Sequence, residues 1–247
     1  MAIIIDGKSL TVEDVIKVCR HGEEVVISEE AKAAVQKARD YVEKKLNDGA
    51  VIYGLTTGFG KFANVVIDHE QTAKLQRNLI ISHTCALGNP YPVEYVRAAM
   101  LLRCNALSRG NSGIRLSTLE TMVDMLNKGV HPIIPEKGSL GASGDLAPLS
   151  HIALGLIGEG KVEYKGEIVD AKDAMADAGI TPVELEAKEG LALNNGTQMM
   201  TAVGVNVLWD AMKLQKVADI ACAMTGEALH AIKKAYDHKV HDLRGQE

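Results

Sequence analysis

Between residues 28 and 49 the apolar side chains return at steps of three and four: Ala31, Val35, Ala38, Val42 and Leu46. That period places them on one face of a helix. Ser28 supplies an N-cap, Lys44 and Lys45 fall in the last turn, and Gly49 stops the helix before the glycine-rich run Tyr53-Gly54-Leu55-Thr56-Thr57-Gly58-Phe59-Gly60. A much longer helical pattern extends from Thr197 to about Ala235. It is apolar on more than one side yet carries Asp210, Lys213, Lys216 and Asp219, the mark of a helix packed in a bundle rather than one spanning a membrane. A third begins at Asp145 as N-cap, has Pro148 in its first turn, and runs to about Ile157. Strand-like stretches are short: Ala2 to Leu10 is predicted to be a hairpin turning at Asp6-Gly7, and Val162 to Val169 another turning at Lys165-Gly166. The chain is predicted to be mainly α, without internal repeats, with a domain over 1–196 and the opening of a central helix bundle over 197–247.

Composition narrows the function. The 247 residues are enough to bury a substantial core. A net charge of -5 and the lack of a long Lys/Arg block argue against nucleic acid as a partner. Met-Ala-Ile-Ile-Ile-Asp at the amino terminus is not a secretion signal, and no run of about 18 apolar residues occurs, so no membrane is expected and the cytoplasm is the expected compartment. Cys19, Cys85, Cys104 and Cys222 form no C-x-x-C pair and read as buried free thiols. His238 and His241 have no carboxylate or thiol cluster nearby in sequence, so no metal is expected. A phosphate-binding loop fails on spacing, since Leu55 and Phe62 stand where Gly and Ser or Thr are needed; no nucleotide is expected.

The chemistry lies in Gly138-Ser139-Leu140-Gly141-Ala142-Ser143-Gly144-Asp145-Leu146-Ala147-Pro148-Leu149. Ala-Ser-Gly by itself is an ordinary turn composition. It can also cyclise. Without a Cβ, Gly144 is free to bring its amide nitrogen onto the carbonyl carbon of Ala142, expelling one water, and Ser143 can lose its hydroxyl as a second, leaving a methylidene group on a conjugated ring. Such an electrophile would sit at the positive end of the helix that begins after Asp145. Asn195-Gly196 likewise precedes a long helix, placing a neutral amide where it could donate a hydrogen bond to a developing anion or to the carbonyl oxygen of such a ring.

The segment resembles the signature of the histidine and aromatic amino acid ammonia-lyases. Four further stretches carry the same resemblance in order along the chain: the Tyr53–Gly60 run, Leu75-Gln76-Arg77-Asn78-Leu79-Ile80-Ile81-Ser82-His83, Leu102-Arg103-Cys104-Asn105-Ala106-Leu107 with Ser112-Gly113-Ile114-Arg115, and Glu189-Gly190-Leu191-Ala192-Leu193-Asn194-Asn195-Gly196-Thr197. The resemblance implies an amino-terminal domain bearing 4-methylidene-imidazole-5-one (MIO), formed autocatalytically from Ala142, Ser143 and Gly144. It implies Tyr53 as the base that takes the β-proton, a phenol that needs electropositive surroundings to ionise near neutrality. Gly54, Gly58 and Gly60 become the joints of a closing loop, Asn195 a catalytic amide, and Leu55, Phe59 and Asp145 loop and support residues. His83, with Gly60, becomes a substrate contact, and Ser82-His83 is the dipeptide typical of the histidine-specific members.

The chain also departs from that pattern. It ends at His241-Asp242-Leu243-Arg244-Gly245-Gln246-Glu247, a shortened form of a family segment. Beyond that segment, members of the family carry a second tyrosine, the arginine that clamps the substrate carboxylate, and an acidic or amide residue near the prosthetic group. The resemblance therefore implies a small amino acid substrate and a second polypeptide carrying the carboxy-terminal half, in a tetramer-like assembly; truncation of a longer protein is the competing explanation. A lyase or 2,3-aminomutase acting on another amino acid, and a non-catalytic scaffold subunit, are the alternatives.

Overall fold

The computed structural model describes residues 2–60, 65, 69–140 and 142–245. Met1, Phe62 of the phosphate-loop comparison, Gly141 of the glycine-rich signature, and Gln246 and Glu247 of the tail motif lie outside them. β1 (Ile3–Ile5) pairs in parallel with β2 (Val25–Ile27), Ile3 against Val25 and Ile5 against Ile27, with α1 (Val12–His21) crossing between them. The hairpin predicted over Ala2–Leu10 is therefore not formed. Asp6 does make a turn, its Oδ1 accepting from the N–H groups of Lys8 and Ser9. The chain then enters a helix, because Thr11 and Asp14 close a capping box over N–H groups that only a helix leaves unpaired.

α2 (Glu29–Asn47) forms where the spacing predicts it, with Ser28 Oγ accepting from Ala31 N–H at 3.1 Å and Ala31, Val35 and Val42 buried. After α3 (His69–His83) and β3 (Leu87–Pro90), α4 (Val93–Leu107) forms the axis of the core. Ala98, Ala99, Met100, Leu101 and Cys104 are wholly inaccessible there, packed between α1 and α5 (Leu116–Asn127). Each fully buried large side chain contributes about 1.5–3 kcal/mol. β4 (His131–Pro132) and β5 (Pro135–Lys137) lead to α6 (Leu146–Leu156), close to its predicted span. β6 (Lys161–Tyr164) and β7 (Glu167–Asp170) make the second predicted hairpin, turning at Lys165 and Gly166 with φ of 54° and 86°, and β4 joins it as a third strand. α7 (Ala171–Asp177) and α8 (Glu189–Asn194) come next, and α8 packs against both α3 and α6.

The chain separates into two compact units, Met1–Asn206 and Val207–Glu247. α9 (Gln198–Ala228) contributes to both. In the first, its Met199, Ala202 and Asn206 are buried. In the second it ends at Ala228, short of the predicted Ala235; His230, at φ 52°, turns the chain toward α10 (His238–Arg244). Leu214, Val217, Ile220 and Met224 are exposed, so the apolar faces expected of a bundle helix are present but uncovered in this chain. Among the described residues no helix is long and apolar enough to cross a membrane. All four cysteines are free, but only Cys19 and Cys104 are buried, with thiols pushed up to about 11 and about 12 by desolvation. Cys85 lies just past α3 and Cys222 on the exposed part of α9, and both are accessible, contrary to expectation.

Candidate active site

The loop after α2 is held at two points. Leu55 is buried against Val42 and Ala187, and Thr57 Oγ1 accepts from Gly54 N–H at 3.3 Å. Gly54 has φ 69°, and a Cβ there would come within 2.6 Å of Leu191 Cδ2, so a side chain at this position would push the loop off α8. Tyr53 immediately precedes these anchors, half exposed, with Phe59 edge-on to its ring at 6.3 Å and Gly60 N–H donating to its Oη at 3.5 Å.

Ala142 and Ser143 are exposed at a turn before α6. Gly144, next in the chain, has φ 95° and bridges Gly196, where a Cβ would lie 2.1 Å from the Gly196 carbonyl oxygen. Asp145 N–H donates to that same oxygen at 2.6 Å. The starts of α6 and α9 therefore lie side by side. Asp145 sits at the N-cap position of α6, but its carboxylate does not cap that helix. Instead Oδ2 accepts from Met200 N–H, in the first turn of α9, at 2.8 Å, and Oδ1 from Ser139 Oγ at 2.6 Å. The predicted cap is thus transferred to the neighbouring helix, because the glycine bridge brings that helix's unpaired N–H groups within reach. An exposed Ala142-Ser143, joined to a left-handed glycine whose missing Cβ is required by Gly196, fits the imidazolone group.

Two buried charges set α8. Glu189, wholly buried, accepts from Arg115 N–H, Nε and Nη2, from Thr118 Oγ1 and from Glu186 N–H. Arg103 donates to Asn195 O at 2.7 Å, to Gln198 Oε1 at 2.9 Å and to the Ala192 carbonyl, and burial pulls its pKa down to about 10. Asn195, expected at the start of the long helix, does not cap it: its Nδ2 donates back to Leu191 O and Asn194 Oδ1.

At the end of α3, His83 Nδ1 meets the Leu79 carbonyl at 2.9 Å and Ser82 Oγ at 3.0 Å. A carbonyl only accepts, so Nδ1 carries the hydrogen and Nε2 is left to the cavity. That cavity, of about 320 Å³, brings together Tyr53, Phe59, Gly60, His83, Ser143 and Asn195, with Leu79, Leu146, Leu191 and Asn194 completing the wall. Leu55, Ala142, Gly144 and Asp145 are not part of the lining; Leu55 anchors the loop on Val42 and Ala187, and Asp145 ties the starts of α6 and α9. Sequence reasoning missed Asn194, hidden by its neighbour in the same motif, and the clamp made by Arg103, whose signal was only its place in a scaffold motif. A larger cavity of about 480 Å³ lies on the second unit, between α9 and the turn after it, lined by Cys222, Glu227, His230 and Tyr236 among others. Among the described residues no group of three or more His, Cys, Asp or Glu side chains converges as a metal site would require.

This helical fold and the cavity at its paired helix starts define the class: the chain belongs to the aromatic amino acid lyase family, whose sequence model matches residues 10–247. Within that family the chain is similar to histidine ammonia-lyases. It is 57% identical over 242 residues to the histidine ammonia-lyase of Alkaliphilus oremlandii, covering 98% of this chain and 48% of that protein. The histidine ammonia-lyase of Caldanaerobacter subterraneus subsp. tengcongensis is 54% identical over the same shares. Among solved structures, histidine ammonia-lyase from Trypanosoma cruzi superposes with a TM-score of 0.91 at 40% identity, over 99% of this chain and 47% of that one. Pantoea agglomerans phenylalanine aminomutase gives 0.92 at 34% identity, over 100% and 47%. The chain spans about half the length of the curated relatives it matches.

Proposed function

We propose that the chain is the amino-terminal subunit of a split histidine ammonia-lyase, which eliminates ammonia from L-histidine to give urocanate in the cytoplasm. In this reading a second polypeptide supplies the carboxy-terminal half, and the two form a tetramer-like hetero-oligomer. The observation that carries the reading is the single cavity shared by Tyr53, Gly60, His83, Ser143 and Asn195.

Elimination needs a base for a weakly acidic β-proton and an electron sink for a poor leaving group. MIO, made from Ala142, Ser143 and Gly144, supplies the sink. Tyr53 takes the β-proton, with Phe59 edge-on to its ring and the Gly60 N–H on its oxygen. His83 receives the imidazole N–H of the substrate on Nε2, because Nδ1 is committed to Leu79. A carboxylate clamp calls for a cation, and among the described residues no Arg or Lys lines the cavity. Arg103 and Arg115 are spent on α8 and its flanks. The clamp therefore falls to the other polypeptide.

The test is ultraviolet-monitored urocanate formation from L-histidine by this chain with and without the completing polypeptide. Activity only in the mixture is expected. Turnover of a different amino acid, or an amino shift in place of ammonia release, would replace the substrate or the outcome, and no turnover of any amino acid would leave a scaffold subunit.

A further inference from the structure

Asn194 is 1% exposed yet reaches the cavity wall, and the elimination chemistry leaves it without a task. Its Oδ1 accepts one hydrogen of the Asn195 carboxamide at 2.9 Å. The other goes to the Leu191 carbonyl at 3.3 Å. A backbone carbonyl only accepts, so the Asn195 atom facing Leu191 is Nδ2, and that in turn requires Asn194 to offer its oxygen. Turning the Asn195 amide over would set lone pairs against lone pairs at both contacts. With both Nδ2 hydrogens used inside the protein, what Asn195 presents to the cavity is its carbonyl oxygen. This reverses the donor role expected from sequence.

We propose that Asn194 is a positioning residue, holding the Asn195 carboxamide oxygen-first toward the cavity so that the site offers an acceptor to the ammonium end of an amino acid. The identity of that ligand rests on the ammonia-lyase reading; the orientation of Asn195 does not. Arg103 completes the device from the other side by holding the Asn195 backbone oxygen, so backbone and side chain are fixed independently.

Asn194→Leu keeps the branched shape and removes the acceptor, Asn194→Asp keeps the acceptor, and Asn194→Ala repeats the removal if the larger leucine disturbs α8. With the wild-type chain and each variant labelled with nitrogen-15 asparagine, hydrogen exchange of the Asn195 carboxamide is expected to quicken by about tenfold in the leucine and alanine variants, the loss of one hydrogen bond, and to stay slow in the aspartate variant. Unchanged exchange in both apolar variants would overturn the proposal. In the assembly with the completing polypeptide, Asn194→Leu is expected to lower kcat roughly 100-fold, as a misplaced contact does. In an Asn195→Ala background the same change should add less than roughly twofold, because the two residues act as one unit. Effects that multiply would also overturn it. An assembly inert toward every amino acid, with the exchange contrast intact, would sink the lyase reading and leave the Asn194 assignment standing.

Discussion

At the scale of single residues the site works by committing one face of each polar group to the scaffold and leaving the other to the cavity. His83 shows this most simply, with Nδ1 tied to Leu79 and Nε2 free for a ligand. His83→Leu removes that acceptor, and KM for L-histidine is expected to rise roughly 30-fold, about 2 kcal/mol for an unpaired substrate N–H, with a smaller change in kcat; steady-state kinetics of the assembly would check it, and an unchanged KM would remove His83 from the substrate pocket. The residue types at Tyr53, Ser143, His83 and Asn195 were legible in sequence, since their motifs are short and local. Their hydrogen-bond directions were not. Which edge of Asn195 meets the cavity depends on Leu191 and Asn194, and which helix Asp145 caps depends on the bridge between Gly144 and Gly196, two positions 52 residues apart.

At the scale of elements, α8 is only six residues long and owes its place to buried charges rather than propensity. Glu189→Gln would turn an amide N–H₂ toward donors and leave Arg115 without its buried partner. A loss of about 2–4 kcal/mol in urea unfolding of the chain is expected; a loss within experimental error would mean that the network does not anchor α8. The three-stranded sheet, packed against α6 and α7, adds a pH dependence. His131 Nε2 accepts from Arg97 Nη1 at 2.9 Å and its Nδ1 donates to Glu163 Oε2 at 2.7 Å, and burial first, then Arg97, holds its pKa below 6.5 despite the carboxylate. His151 is lowered from 6.5 by burial as well. As pH falls through 6.5 the unfolded chain takes up protons that the folded chain refuses, so this contribution is present above 6.5 and is lost on acidification toward the lower folded values. Melting temperature should drop between pH 7.5 and about 5.5, and His151→Leu should shallow the slope; a flat profile would contradict the assignment. α2 and the β6–β7 hairpin were readable because cap, period and turn are contiguous. The β1–β2 pair was not, because a parallel partner lies beyond an intervening helix and leaves no trace in alternation.

At the scale of the whole molecule, the first unit carries a packed core and the cavity of Tyr53 and Ser143, whereas the second holds the rest of α9, with exposed apolar side chains, and α10. That surface and the half-length match to the relatives are what the proposed pairing with a second polypeptide rests on. The helical pattern of α9 was visible in sequence; its end at Ala228, short of Ala235, was not. In the proposed lyase this chain brings the electrophile, assembled from its own backbone. Intact mass of the chain, taken from an assembly making urocanate, tests it most directly. The chain is expected to weigh two waters less than its sequence, and Ser143→Ala to abolish turnover and lack that loss. A full, unmodified mass in a preparation that still eliminates ammonia from histidine would contradict the account.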